Sequence, residues 1–281
     1  MDIISTRAVA EVLGVSEATV KRWSDAGTLR CFRTPGGHRK FRLRDVKAFL
    51  LDHEDAIRVE SRAPKPAATL DENALEARSL ALAGDADGLV SLVAKHRMQG
   101  ESLAKIFDEI FAPAMTSIGT EWADGSLTAA QEHLASSAVL DMLARVRPLV
   151  ERTKTEKGRA ICACLSGEHH AIALQMVALV LGSNGYRVGM LGANVPTGDL
   201  ALMIAQEAPA VLALSASAHS NVETLRGDLA VVASAAAATK TRVLVGGPGF
   251  DKVPSLPSNV QRHDTLTALT NALQSETKPG L

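Results

Sequence analysis

Ser166-Gly167-Glu168-His169-His170 is a polar, glycine-containing pentapeptide set between two apolar runs. Before it, Arg159-Ala160-Ile161-Cys162-Ala163-Cys164-Leu165 reads as a buried strand. After it, residues 171–181 are apolar and long enough for a helix. Strand, tight polar loop and helix form the opening of a βαβ unit. In open parallel sheets, ligands lie beyond the carboxyl ends of the strands. A carboxylate two residues before a histidine in such a loop suits a metal-ligating imidazole. One ring nitrogen takes the metal while the carboxylate holds the other N–H. An exposed polar loop without a ligand accounts for the same five residues equally well, so the reading depends on their surroundings.

Toward the C-terminus, strands at 160–165, 187–191, 210–215, 242–246 and 259–262 alternate with helices at 170–182, 197–207, 222–238 and 264–274. This pattern predicts a five-stranded parallel, doubly wound sheet of flavodoxin-like, Rossmann type. Residues 277–281 read as a frayed tail. Upstream, helical periods at 72–83, 86–98, 102–119 and 129–150, punctuated by Gly84, Gly100 and Gly125, predict a four-helix bundle. Pro113 is expected to kink or break the third helix. Thr128-x-x-Gln131 is a capping box that puts Glu132 and His133 early in the fourth. Residues 61–69 contain Pro64 and Pro66, show no period, and read as a linker.

At the N-terminus, residues 5–13 read as a short helix, Gly14-Val15-Ser16 as a turn, and 17–26 as a second helix with Ser16 as N-cap. The spacing is that of a helix-turn-helix, with Ala10 at the crossing and Val15 and Val20 inward. Thr19, Lys21 and Arg22 then face outward, toward base edges or phosphates of a major groove. Residues 29–33 and 40–43 flank Thr34-Pro35-Gly36-Gly37-His38 as a hairpin wing. Arg33, His38, Arg39 and Lys40 make one of its edges basic.

Charge agrees with this division. Residues 1–50 hold ten Lys/Arg and five Asp/Glu, +5; the whole chain is −1, so the remainder is −6. A basic head on an acidic body points to a nucleic-acid-binding end. A length of 281 residues allows about two or three domains, and 46% hydrophobic residues supply their cores. No uncharged apolar run reaches membrane-spanning length and no signal-peptide pattern opens the chain, so a cytoplasmic protein is expected. Three cysteines, two of them on one strand, give neither a disulfide framework nor zinc-site spacing and are read as core. With aromatics at only 3%, Trp23 and Trp122 each call for a reason.

Glu168-x-His170-x-x-Ala173 resembles the D/E-x-H-x-x-G motif of cobalamin-binding domains. Leu214-Ser215-Ala216-Ser217 resembles the S-x-L element of the same family, and Val245-Gly246-Gly247-Pro248 its G-G element. The resemblance implies His170 as lower cobalt ligand in place of the cofactor's own base. It implies Glu168 as the orienting partner, and Ser215, Gly246 and Gly247 lining a slot for the nucleotide tail. Ala173 and Ser217 depart from the pattern, where glycine and leucine are usual.

Trp122, Glu132 and His133 reproduce the W-x9-E-H signature of the helical cap in CarH-type, adenosylcobalamin-dependent photoreceptor regulators. In that family these residues cover the upper corrin face. The residue after the tryptophan is commonly a cobalt-ligating histidine; here it is Ala123, so water or His133 is the expected upper ligand once the adenosyl group leaves. The N-terminal segment resembles MerR-type and excisionase-type winged helix-turn-helix domains, including the wing Arg33-Thr34-Pro35-Gly36-Gly37-His38-Arg39.

Together these resemblances imply a non-enzymatic, light-dependent repressor with adenosylcobalamin, a cobalt corrinoid, as chromophore. It would bind operator DNA as a dimer or tetramer. The expected division is a winged domain over 1–60, a linker over 61–70, the bundle over 71–155 and the cobalamin-binding domain over 156–281. Two alternatives fit parts of the pattern: a cobalamin-carrying methyltransferase module, and a regulator holding another ligand such as a bilin.

Overall fold

The structure, a computed structural model, describes residues 3–13, 17–34, 37–52, 70–150 and 156–275. The Gly14-Val15-Ser16 turn with its N-cap, the Pro35-Gly36 wing tip, the 61–69 linker and the 277–281 tail lie outside these residues.

The first unit runs β1 (Ile3–Ser5), α1 (Thr6–Leu13), α2 (Glu17–Asp25), β2 (Phe32–Arg33), β3 (Arg39–Arg42) and α3 (Leu43–Asp52). Its antiparallel sheet has the order β1-β3-β2. β1 and α3 extend the expected helix-turn-helix and wing; a three-residue strand is too short to show a period. Val9, Leu13, Val20, Leu29, Phe41 and Val46 form the core, with Ala10 nearly buried at the helix crossing. Trp23 closes this core by packing tilted on Phe49 at 4.9 Å between centroids.

The bundle follows: α4 (Leu70–Leu82), α5 (Ala86–Met98), α6 (Leu103–Ile106), α7 (Ala112–Ala123) and α8 (Ala129–Val146). Pro113 does not break the third helix. α6 and α7 are joined by a π turn, Phe107–Phe111, closed by the Ala112 N–H donating to Phe107 O. The wider turn rephases the ladder just before the proline, whose missing N–H then falls in the first turn of α7, where it costs little. The Thr128–Gln131 capping box is formed, so Glu132 opens α8 as read. Ala94 and Met98 of α5 pack against the core of the first unit, and Lys47 donates to the Pro148 carbonyl at 2.8 Å.

The last unit alternates β4 (Arg159–Leu165), α9 (Ile172–Ser183), β5 (Arg187–Val195), α10 (Thr197–Glu207), β6 (Val211–Ser215), α11 (Val222–Thr239), β7 (Arg242–Gly246), β8 (Val260–Arg262) and α12 (Leu266–Ser275). The parallel sheet has the order β5-β4-β6-β7-β8, the flavodoxin-like winding. Order reverses beside β4, so the crevice beyond its carboxyl end is where such sheets take ligands. β5 runs four residues past the expected end. Gly192 (φ +87°) and Asn194 (φ +53°) interrupt the pattern that sequence periodicity detects.

One face of the sheet is covered by α10 and α11. The other, through Ala160, Cys162, Cys164, α9 and α12, merges with the bundle into a single core containing Phe107, Phe111, Ile118 and Met142. Asp108, in the π turn, accepts from the backbone N–H groups of Leu266 (2.9 Å) and Thr267 (2.8 Å), so a bundle residue caps the last helix of the sheet unit. Removing a capping carboxylate typically costs about 1 kcal/mol, up to about 2. Asp108→Ala is therefore expected to lower unfolding stability by that amount; unchanged denaturant midpoints would show that the cap carries no weight.

Candidate functional site

Glu168 is the hub of the loop after β4. Its side chain is only 4% exposed. Oε1 accepts from the His170 backbone N–H at 2.8 Å and lies 2.6 Å from His170 Nδ1. Oε2 accepts from the Ser217 N–H at 2.7 Å and from the Ser220 hydroxyl. Burial pushes this carboxyl up, but donation from Ser220, from the His170 and Ser217 N–H groups and from the His170 ring outweighs it and holds the pKa at about 2. The group is thus a carboxylate, and Nδ1 of His170 carries the proton that it binds. Nε2 then points away from Glu168, on a side chain that is 61% exposed.

Neighbouring strands fix this loop from outside. Asn194, at the irregular end of β5, accepts from the Gly167 N–H with its side chain (2.8 Å) and donates its own N–H to Glu168 O (2.8 Å). Cys164 donates its thiol to His170 O at 3.7 Å. Burial raises the pKa of Cys162 and Cys164 to about 12, so both stay protonated core groups. His169 is exposed, and none of the Glu168 hydrogen bonds reaches its ring.

A depressed pKa makes stability pH-dependent. With the folded value at about 2 and the ordinary value at 4.5, the contribution of Glu168 is whole above about 4.5 and is lost as pH falls through 2. The shift sets an upper figure of about 3 kcal/mol. Between about pH 5 and 2, the wild type is expected to lose up to that much more than Glu168→Gln, which cannot titrate; parallel losses in denaturant titrations would contradict it.

The bundle meets this loop from above. Trp122, at the end of α7 and 43% exposed, lies edge-on to the His219 ring at 6.4 Å. His219 stacks on His170 at 5.7 Å with 30° between planes. Burial raises the Glu132 carboxyl, and hydrogen bonds from Ser136 and His133, with the nearby His170, bring it net below its ordinary range. His133 pairs with Glu132 at 2.6 Å, but its side chain is 79% exposed. Trp122, Glu132, Glu168 and His170 therefore converge, with His133 at the rim. Sequence reasoning missed Asn194, Ser220 and His219. The last two lie about fifty residues from Glu168, and only the β4–β6 pairing brings them together.

Ser215 ends β6 opposite Gly246 of β7 and is buried. Gly247 has φ +94°, and a Cβ there would stand 2.4 Å from Ala216 O; at Gly246 it would stand 3.0 Å from His263 O. These glycines let the loop after β7 close on the Ala216 backbone. A cavity of about 400 Å³ opens elsewhere, between β5 and α10 beside Leu191, Asn194 and Met203.

On the first unit, Lys21, Arg22, Arg33 and His38 are exposed, and Thr19, Arg39 and Lys40 are half-buried. Asp25 at the end of α2 pairs with Arg39 (2.5 Å) and approaches Arg33 (3.8 Å), tying the wing to that helix. The Arg39 side chain is only 17% exposed, so it braces the wing more than it projects from it. Arg30, Arg42 and Arg44, missed in the sequence, surround a hollow of about 450 Å³ beside the wing.

Among the described residues, no group of three or more His, Cys, Asp or Glu could hold a metal ion. No helix there is long and apolar enough to cross a membrane. A single oriented imidazole suits a metal whose other ligands come with a macrocycle, so the residues present fit a cobalt corrinoid.

Comparison with known proteins agrees. Models described as B12 binding domain match residues 158–262 and 76–147, and a helix-turn-helix domain model matches 3–53. The HTH-type transcriptional repressor CarH of Myxococcus xanthus is 30% identical over 246 residues, covering 78% of this chain and 81% of the relative. The repressor CarA of the same organism is 29% identical over 224 residues, covering 74% and 75%. The monomethylamine corrinoid protein of Methanosarcina barkeri shares the fold, with a TM-score of 0.58 at 17% identity over 73% of this chain and 99% of that one. With a DNA-binding head, a helical cap and a flavodoxin-like sheet in this order, the chain belongs to the CarH-type family of B12-binding, DNA-binding transcription regulators.

Proposed function

We propose that the chain is a light-dependent repressor that takes adenosylcobalamin between bundle and sheet, acts on operator DNA as a homo-oligomer in the cytoplasm, and catalyses no reaction. The observation that carries this reading is the meeting of Trp122 and Glu132, from the bundle, with an imidazole whose other nitrogen is locked by a buried carboxylate. Its working units would be the winged domain over 1–60, the bundle over 71–155 and the sheet domain over 156–281, joined by the 61–70 linker.

His170 would hold cobalt through Nε2, with Glu168 fixing the ring. Trp122 gives a flat indole wall for the upper face, and Glu132 accepts hydrogen bonds there, with His133 at its edge. Ser215, Gly246 and Gly247 would line the path of the nucleotide tail. Thr19, Lys21, Arg22, Arg33, His38, Arg39 and Lys40 would meet DNA, with Arg39 acting by holding the wing. When bound, adenosylcobalamin supplies a photolabile cobalt–carbon bond; the readout is the protein's.

The shared core limits that readout. Bundle and sheet pack as one apolar body, which cannot slide without opening voids. The exposed corner between α7 and α8, residues 121–131, carries Trp122 and leads into Glu132, so it is the part able to respond. Repacking of this corner would alter the contact between copies and thereby the grip on DNA. The experiment is operator affinity and oligomer mass of the loaded chain, in the dark and after photolysis.

A further inference from the structure

An exposed corner that must hold a large aromatic side chain in one place needs an anchor, because such segments have few packing contacts of their own. Residues 121–131 are a corner of this kind, and Glu121, one residue before the indole, is its root. The Glu121 carbonyl accepts from the Leu127 N–H at 2.9 Å, which closes the corner on itself. The Glu121 carboxylate is tied to a different helix. Oε1 accepts from Arg78 Nε at 3.0 Å and from the Ser117 hydroxyl at 2.8 Å, and Oε2 accepts from Arg78 Nη2.

Arg78 lies on α4, whose place in the bundle is set by the buried Ala77 and Ala81 beside it. Its guanidinium meets the carboxylate as a two-pronged fork, which fixes direction as well as distance. Each side chain is only 28% exposed, so water screens this pair less than an ion pair on an open surface. Among the described residues, no other side chain from another helix hydrogen-bonds to residues 121–131. The next residue along the chain is Trp122, edge-on to His219 at 6.4 Å, and His219 stacks on His170 at 5.7 Å.

We propose that Arg78 is the positioning residue of the upper face: through the Glu121 carboxylate it fixes the Trp122 indole against the His170–His219 rings, and so sets the space left for a group bound at His170. Arg78 itself touches no ligand. The ligand half of this inference rests on the cobalamin reading, whereas the positioning half is a property of the empty chain.

The test uses the full chain carrying Trp23→Phe, which leaves Trp122 as its one tryptophan. Acrylamide quenching and fluorescence anisotropy then report on that indole alone. In the empty chain, Arg78→Gln and Glu121→Gln are each expected to raise quenching and lower anisotropy. The double variant is expected to do no more than either single one, as for two partners in one contact. Arg78→Lys keeps the charge without the fork and is expected to fall between. Arg145→Gln removes another guanidinium of the bundle, paired with Asp87 and Asp141, and is expected to match the parent chain. Loaded with adenosylcobalamin in the dark, Arg78→Gln is expected to keep the absorption spectrum that ligation by His170 gives. It is expected to change the visible circular dichroism and to bind the cofactor about 3–10-fold more weakly, the scale of a partly shielded two-pronged pair. Quenching and anisotropy unchanged in Arg78→Gln, or changed equally in Arg145→Gln, overturn the proposal whatever the cofactor does. Raised quenching with unchanged cofactor affinity and circular dichroism overturns the role of Arg78 at the upper face. A parent chain that takes up no adenosylcobalamin overturns the cobalamin reading and the ligand half of this inference, while the fluorescence of the empty chain still decides the positioning half.

Discussion

Raising salt from 50 to 200 mM is expected to weaken operator binding by the full chain about 10³–10⁵-fold, if each assembly neutralises roughly 6–10 phosphates. The basis is the +5 balance of residues 1–50 and the exposed Lys21, Arg22, Arg33 and His38 on α2 and the wing. Lys40→Ala is expected to weaken binding to all sequences alike, as loss of a phosphate contact would. Arg39→Ala has the same effect for a different reason, because it releases the wing from Asp25. Arg22→Ala, on α2, is expected also to change which sequences are preferred. Retention measurements across a salt series check the slope. A chain lacking residues 1–60 that still binds operator would place DNA recognition elsewhere.

The second large effect concerns cobalt. His170→Ala is expected to release cobalamin or leave it without its protein nitrogen ligand, whereas His169→Ala keeps both. The two histidines are adjacent and both exposed, and what separates them is Glu168, which binds only the second. Glu168→Ala leaves the imidazole in place but unoriented. Removing such partners typically costs about 10–100-fold in metal affinity, and that is the expected loss. Equilibrium dialysis with the absorption spectrum of bound cofactor decides the matter. Equal retention in His169→Ala and His170→Ala would remove the assignment of His170.

The same residues show why part of this site could be read from the sequence and part could not. Glu168 and His170 stand two apart in a loop after an apolar strand, so both chemistry and position are local. Gly246-Gly247 is legible through its resemblance to the G-G element, and the structure adds a packing reason, since a Cβ at Gly247 would meet Ala216 O at 2.4 Å. The end of β5 was hidden by Gly192 and Asn194, whose positive φ reads as a turn. Yet Asn194 is what ties β5 to the site loop. Ser220 and His219 were invisible for another reason. Their partner is contributed through the parallel pairing of β4 with β6, which no spacing rule reports. Pro113 marks an interruption of the α ladder but not its form, a π turn that the preceding helix could make.

The central claim is that a cofactor held at His170, under the Trp122–Glu132 corner, governs the grip of the first unit on DNA. It is tested most directly by loading the full chain with adenosylcobalamin and measuring operator affinity and oligomer mass in the dark and after complete photolysis. The account predicts that both fall on photolysis, and that His170→Ala shows no light-dependent change in either. Complete photolysis with mass and affinity both unchanged would contradict it.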